Sequence, residues 1–246
     1  MDKIEASSIA GYASILLWLI VFIPQLFENY KRKSGDGLSI VFLFVWLLGD
    51  IFNLIGVVME DLMLTMFLLA LWYTVADIGL IWQVIYYQQV TLYTKLKQEE
   101  SSNESTDMAV KKSALWINLV GLSVLITVVV VSCYAYNSDL FNNSNSTLSG
   151  LIGWASAVLY IGSRLPQIIK NWKAQSTEGL SSGMFICALF GNFSFTLSIF
   201  LKSTEKPYIL QNLPWIVGSL GTIIFDIMIF LQFCVFHRRK LKHRSD

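Results

Sequence analysis

Sliding the chain over itself by 142 positions brings Pro24 onto Pro166, and 14 of the 39 residues from Gly11 to Gly49 then meet an identical residue. The matches include polar positions that a shared apolar bias does not produce: Asn29, Lys31, Ser34, Gly37 and Ser39 fall on Asn171, Lys173, Ser176, Gly179 and Ser181. The chain therefore holds an internal repeat, and both copies must build the same unit. Each copy carries a Pro-Gln pair inside an apolar run, Pro24-Gln25 and Pro166-Gln167. Proline lacks an N–H and crowds the carbonyl four residues earlier, here Ile20 or Gly162, so it bends a helix and frees an acceptor. Gln25 and Gln167 are read as donors beside those carbonyls, and each Pro-Gln pair as a hinge. A static kink is the plainer alternative, because proline is frequent in membrane helices.

Hydrophobic residues make up 54% of the chain and charged ones 14%, against about 25% charged in soluble domains. Seven stretches reach the roughly 20 apolar residues that a membrane helix needs. They lie near 10–29, 39–58, 63–86, 113–135, 149–169, 181–201 and 213–236. The expected fold class is all-α and integral to the membrane, with seven transmembrane helices. Three spans per copy is an odd number, so one further span must invert the chain if the two copies are to run parallel. This predicts a 3+1+3 order: a first triple-helix repeat over 1–92, a polar linker over 93–112, an inverting linker helix over 113–136, a second repeat over 137–236 and a basic tail over 237–246. The third spans repeat as well, Asp77 and Gln83 matching Asp226 and Gln232 at one internal spacing.

Lys and Arg collect on one side of this topology, fourteen in the loops after spans one, three and five and in the tail, against Lys3, Lys202 and Lys206 on the other. The positive-inside tendency then puts the N-terminus in the lumen and the C-terminus in the cytosol. Two sequons, beginning at Asn142 and Asn145, fall in a loop on the lumenal side and mark candidate glycosylation sites. Residues Met1 to Ser8 lack the basic start of a cleaved signal, so the first span is expected to be retained. Cys133, Cys187 and Cys234 offer neither a disulfide framework nor metal spacing. Nothing in the chain pairs a nucleophile with a base or cradles a phosphate. No enzyme, cofactor or metal site is expected, and with a net charge of +1 spread over short loops, no nucleic-acid partner either.

Charges inside the hydrocarbon are costly and need a reason. Asp50, Asp77 and Asp226 lie in spans two, three and seven, and Arg164 is the base inside a span. Three acids against one base leave two negative charges without a fixed partner unless a proton or a mobile cation meets them. Asp50 and Asn53 share a helix face, and Asn192 takes the place of Asp50 in the second copy. A carboxylate across from an amide, where carriers built from repeats bind their cargo, suits an ammonium or guanidinium group. Asp50, Asn53 and Asn192 are thus candidate substrate ligands, with helix packing through small and amide residues as the alternative. Trp46 is a further candidate pocket wall, or an aromatic packing residue. Asp77 and Asp226 are candidate proton carriers or protonated helix glue, and Arg164 is a charge partner or a snorkelling side chain. The turns Ser34 to Ser39 and Ser176 to Ser181 are read as structural, with Gly for a tight turn and Ser39 and Ser181 as caps of the next helices.

The Pro-Gln pairs, the paired Ser-x-acid-Gly-Leu-Ser turns, the segment Trp46 to Gly56 and the segment Asn212 to Asp226 together resemble the PQ-loop family, and most closely its lysosomal and vacuolar cationic amino acid transporters. The resemblance implies a SWEET-like 3+1+3 fold, lysine, arginine or histidine as substrate, an acidic organelle and a lipid bilayer around the chain. The expected function is transport by alternating access with the prolines as hinges, and a proton as candidate co-substrate. A carrier for cystine or a sugar is one alternative, and a seven-span receptor or scaffold that senses amino acids is another.

Overall fold

In lipid the backbone must satisfy its own hydrogen bonds, which leaves apolar runs of this length only the helix. The computed structural model describes residues 2–59, 64–99, 104–138 and 146–245. The sequon residues Asn142 and Asn145 lie outside them. The described residues form α1 (Lys3–Ile20), α2 (Ile23–Arg32), α3 (Ile40–Met59), α4 (Leu64–Glu99), α5 (Glu104–Asn137), α6 (Ser146–Ala174), α7 (Ser182–Lys202), α8 (Lys206–Gln211) and α9 (Leu213–Ser245). Seven helical segments are long and apolar enough to cross a membrane, with α1 and α2 together forming the first. The short α8 leads into α9 and packs on it.

The two prolines act differently on their helices. Pro24 stands in the first turn of α2, where its missing N–H is no loss, and Val21 and Phe22 interrupt the helix before it. Both keep right-handed backbone angles, so the interruption is a bend and not a reversal. Pro166 lies inside α6, which runs on past it.

The repeats interlock. α1 packs along α7 and α3 along α6, so the first span of each copy lies against the second span of the other. Ser14 Oγ donates to the Gly191 carbonyl and Ser156 Oγ to the Gly49 carbonyl, both at 2.9 Å, at equivalent places of the two contacts. α9 packs on both α6 and α7, whereas α4 packs mainly on α3 and on the linker helix and touches α1 little. α5 rests on α4, and no part of its apolar window is buried.

Burial is uneven along the bundle. The main core, with Val21, Phe22, Leu38, Phe42, Leu43, Trp46, Leu180, Met184 and Phe185, fills the end that carries the loops 33–39 and 175–181. This is the basic end of the bundle, shared by the loops after spans one and five. A smaller cluster of Leu54, Val57, Phe67, Ala70 and Leu71 joins α3 and α4 towards the other end, with Val128, Cys133 and Tyr136 of α5 against it.

Candidate functional site

The repeated polar residues converge at the basic end. α2 and α6 both stop on a residue in the left-handed region, Lys33 (φ 52°) and Gln175 (φ 48°). The N–H groups of Lys33 and Ser34 return to Tyr30 and Asn29, and those of Gln175 and Ser176 to Trp172 and Asn171. This is the Schellman ending, made twice. It turns each chain across the bundle so that Gly37 and Gly179 meet backbone to backbone. A Cβ on Gly37 would overlap the Gly179 carbonyl, and Gly179 has a φ of +80° as well.

The glutamines close this crossing. Gln25 Nε2 donates to the Gly179 carbonyl (3.0 Å) and to Asn29 Oδ1 (2.8 Å), while its Oε1 accepts the Ser181 N–H (2.7 Å). Gln167 does the same to the first repeat, donating to the Gly37 carbonyl (3.0 Å) and Asn171 Oδ1 (2.8 Å) and accepting from the Ser39 N–H (2.7 Å). The expectation that each glutamine serves the carbonyl freed by its own proline is therefore wrong. Five residues separate Gln25 from Ile20 and Gln167 from Gly162, which is about 140° around a helix of 3.6 residues per turn. The side chain faces the opposite repeat instead.

Each relay continues into a third helix. Asn29 Nδ2 donates to Gln83 Oε1 (2.9 Å) and Gln83 Nε2 to the Leu26 carbonyl (3.0 Å). In the second copy Asn171 Nδ2 donates to Gln232 Oε1 (2.8 Å) and Gln232 Nε2 to the Ile168 carbonyl (3.0 Å). Lys170 Nζ donates to the Asp36 and Leu38 carbonyls, and at the exposed rim Arg32 pairs with Glu178 at 3.0 Å. The Ser-x-acid-Gly-Leu-Ser turns are thus the acceptors of a cross-repeat seal, beyond the structural part read from the sequence. Ser39 Oγ accepts the Phe42 N–H (3.4 Å) as a cap of α3. Ser181 makes no such side-chain bond.

One helical turn further in, the charges lie between the repeats. Arg164 is 1% exposed. Its Nε donates to Asp226 Oδ1 at 3.2 Å, and Nη1 donates to Ser163 Oγ (2.9 Å) and the Tyr160 carbonyl (3.2 Å). The guanidinium carbon stands 4.6 Å from the Trp46 ring centre and 5.8 Å from that of Phe42. Phe22, the counterpart of Arg164 in the first copy, packs on the same Trp46 ring at 5.2 Å.

Asp50 accepts a 2.6 Å hydrogen bond from the Tyr160 hydroxyl on Oδ1 and has the carboxyl of Asp77 as a neighbour. Asp50 Oδ2 and both oxygens of Asp77 are buried and take no donor. Asp77 and Asp226 are equivalent in the repeat yet differently placed, one facing a second acid and the other a base. Asn192 is buried on α7 with Nδ2 unpartnered, and no hydrogen bond joins it to Asp50. Asn53 is half-buried one turn along α3 from Asp50. The structure therefore brings Asp50, Asp77, Trp46, Arg164 and Asp226 into one buried group and adds Tyr160, which the sequence reading missed. Its signal in the sequence is the repeat alignment, where Tyr160 meets Trp18; in the structure the two rings stand against Gly49 and Gly191, just before Asp50 and Asn192.

Two parallel-type repeats locked by their Pro-Gln pairs around a buried charge cluster define a membrane carrier architecture. The profile of the PQ loop repeat matches residues 6–66 and 148–208. A vacuolar lysine transporter of Saccharomyces cerevisiae is 33% identical over 98% of this chain and 96% of its own length. A vacuolar arginine/histidine antiporter of the same yeast is 31% identical over 97% and 87%. A human lysosomal amino acid transporter 1 homolog is 32% identical over 95% and 84%. Among solved structures, a eukaryotic SWEET transporter superposes with a TM-score of 0.52 at 15% identity, covering 96% of this chain and 97% of that one. That likeness shows the fold, the 3+1+3 arrangement of seven helices. The chain belongs to the PQ-loop repeat family, among transporters and not enzymes.

Proposed function

We propose that the chain carries cationic amino acids across a vacuolar or lysosomal membrane, with the basic end in the cytosol and the N-terminus in the lumen. The observation that carries this reading is the charge balance between the repeats. Arg164 neutralises Asp226, while Asp50 and Asp77 face each other with no base bonded to either. Two carboxylates in mutual reach cannot both keep a charge in a dry site. A proton holds them together when the carrier is empty, and the ammonium or guanidinium of lysine, arginine or histidine replaces it. A sugar carrier has no use for this excess of acid.

Access alternates as the basic end opens and closes. In the closed form the two glutamine relays and the glycine crossing seal it, and α1 touches α4 little towards the other end. Opening breaks the cross-repeat bonds while each glutamine keeps its own asparagine, so Gln25 and Gln167 belong to the gate and Pro24 and Pro166 to its hinges. Trp46, Asn53 and Asn192 line the path next to Asp50.

The test is flux in reconstituted vesicles with labelled lysine, arginine and histidine, for the parent and Asp50→Asn. Flux of all three in the parent and a loss of about tenfold or more in Asp50→Asn is expected, the size of one charge-assisted contact. Saturable binding of lysine without flux in the parent would make the chain a receptor instead.

A further inference from the structure

The Arg164–Asp226 pair has the setting of a cation-recognition site. The guanidinium lies over the faces of Trp46 and Phe42, is met by a carboxylate and is capped by the Ser163 hydroxyl and the Tyr160 carbonyl. An aromatic face, an acid and two neutral oxygens are what a site offers to the end of an arginine or lysine side chain. Asp226 Oδ2 takes no donor and so keeps one acceptor for a newcomer. The rings come from α3 of one repeat and the carboxylate from α9 of the other. In the first copy the same position is Phe22, so a packing position of the repeat has been given to a cation.

We propose that Arg164 is a tethered stand-in for the cation of the cargo: it fills the cage of Trp46, Phe42 and Asp226 when no amino acid is bound, and yields it when one arrives. The inference rests on the reading of the chain as a cationic amino acid carrier. Arg164 has somewhere to go, because its Nη1 already donates to the Tyr160 carbonyl and the Ser163 hydroxyl on its own helix, away from Asp226. A carrier moves net cargo only if it can return empty. Without the stand-in the return step would bury the Asp226 carboxylate unpaired, which the closed form resists. With it, the cage is neutral in both directions of the cycle.

The experiment compares two modes in proteoliposomes made with the parent, Arg164→Lys and Arg164→Met: efflux of labelled lysine into cargo-free buffer, and exchange of the same label for external lysine. The parent and Arg164→Lys should support both modes. Arg164→Met should lower the ratio of net efflux to exchange by about tenfold or more, since only the empty return leaves a buried charge unpaired. Guanidinium ion added on both sides of the Arg164→Met vesicles should restore net efflux. An unchanged ratio of the two modes in Arg164→Met, or equal loss of both, makes the pair a structural bridge and overturns the proposal. Absence of any flux in either mode from the parent overturns the transport reading beneath it.

Discussion

Gly37 and Gly179 sit so close across the repeat boundary that a methyl group on Gly37 would overlap the Gly179 carbonyl. Equivalent residues of the two copies therefore touch where the two turns cross, and on the proposed reading the closed form needs glycine at Gly37 for space and at Gly179 for its φ of +80°. Gly37→Ala places a Cβ in the Gly179 carbonyl, and overpacking of this kind costs about 1–3 kcal/mol. That is a shift of roughly fivefold or more from closed to open at the basic end. Labelling of Ser181→Cys by an impermeant thiol reagent, in a background without Cys133, Cys187 and Cys234, should rise accordingly.

Gln25→Leu and Gln167→Leu each strand a carbonyl, an N–H and an asparagine oxygen that are paired in the closed form. A buried polar group left unpaired costs about 1–3 kcal/mol. The open form does not use the two cross-repeat bonds, so the loss falls on closure. Both variants should raise the same cysteine labelling as Gly37→Ala. A lowered melting temperature with unchanged labelling would mean that the relays support packing and not the gate.

Pro24 and Pro166 are expected to differ although they align. Leu at position 24 supplies the missing N–H and lets α1 and α2 join through Val21 and Phe22, which straightens the first span. At position 166 the helix is already continuous, so Leu restores one hydrogen bond and has no break to close. Lysine flux should fall more in Pro24→Leu than in Pro166→Leu, and lysine binding should survive in both. Equal flux in the two variants would show that the break before Pro24 plays no part in the motion.

Lysine binding should weaken as the pH falls. The groups that face this site are Asp50 from α3, Asp77 and Tyr73 from α4, and Tyr160 and Arg164 from α6. On the proposed reading the two acids exchange a proton for the cation. Proton and cargo compete for the same carboxyls, so acid favours the protonated empty form, and the apparent dissociation constant rises by up to about tenfold per pH unit where one proton is exchanged. Asp77→Asn leaves Asp50 without the acid it shares the proton with and should flatten this slope. Binding measured from pH 5 to 7.5 checks both curves, and a slope unchanged in Asp77→Asn would put the proton elsewhere.

The seven spans were legible because length and hydropathy alone decide them, although α4 and α9 run on as helices well past their apolar stretches, to Glu99 and Ser245. Hydropathy does not report where a helix ends in water. The repeat was legible from Asn29, Gly37 and their copies, but its packing was not. A repeated sequence reads the same whether its spans pack within one copy or across two, and for that reason the turns around Gly37 and Gly179 looked merely structural. The direct partners of Asp50 were hidden for the same reason. Asp50 faces α6 and α4, where Tyr160 and Asp77 meet it, and that follows from the α3–α6 pairing, which no spacing along one chain reveals. The imbalance of acid over base needed no packing to be seen, since it is a count.

α5 lies along α4 with its apolar window unburied, while the two repeats hold each other through α1 on α7, α3 on α6 and the loops at their crossing. The connection between the halves thus sets only the direction in which the second one threads the bilayer. Cohesion comes from an interface, as in a dimer of two unlike subunits, and the tether could be cut without removing a single contact of the gate.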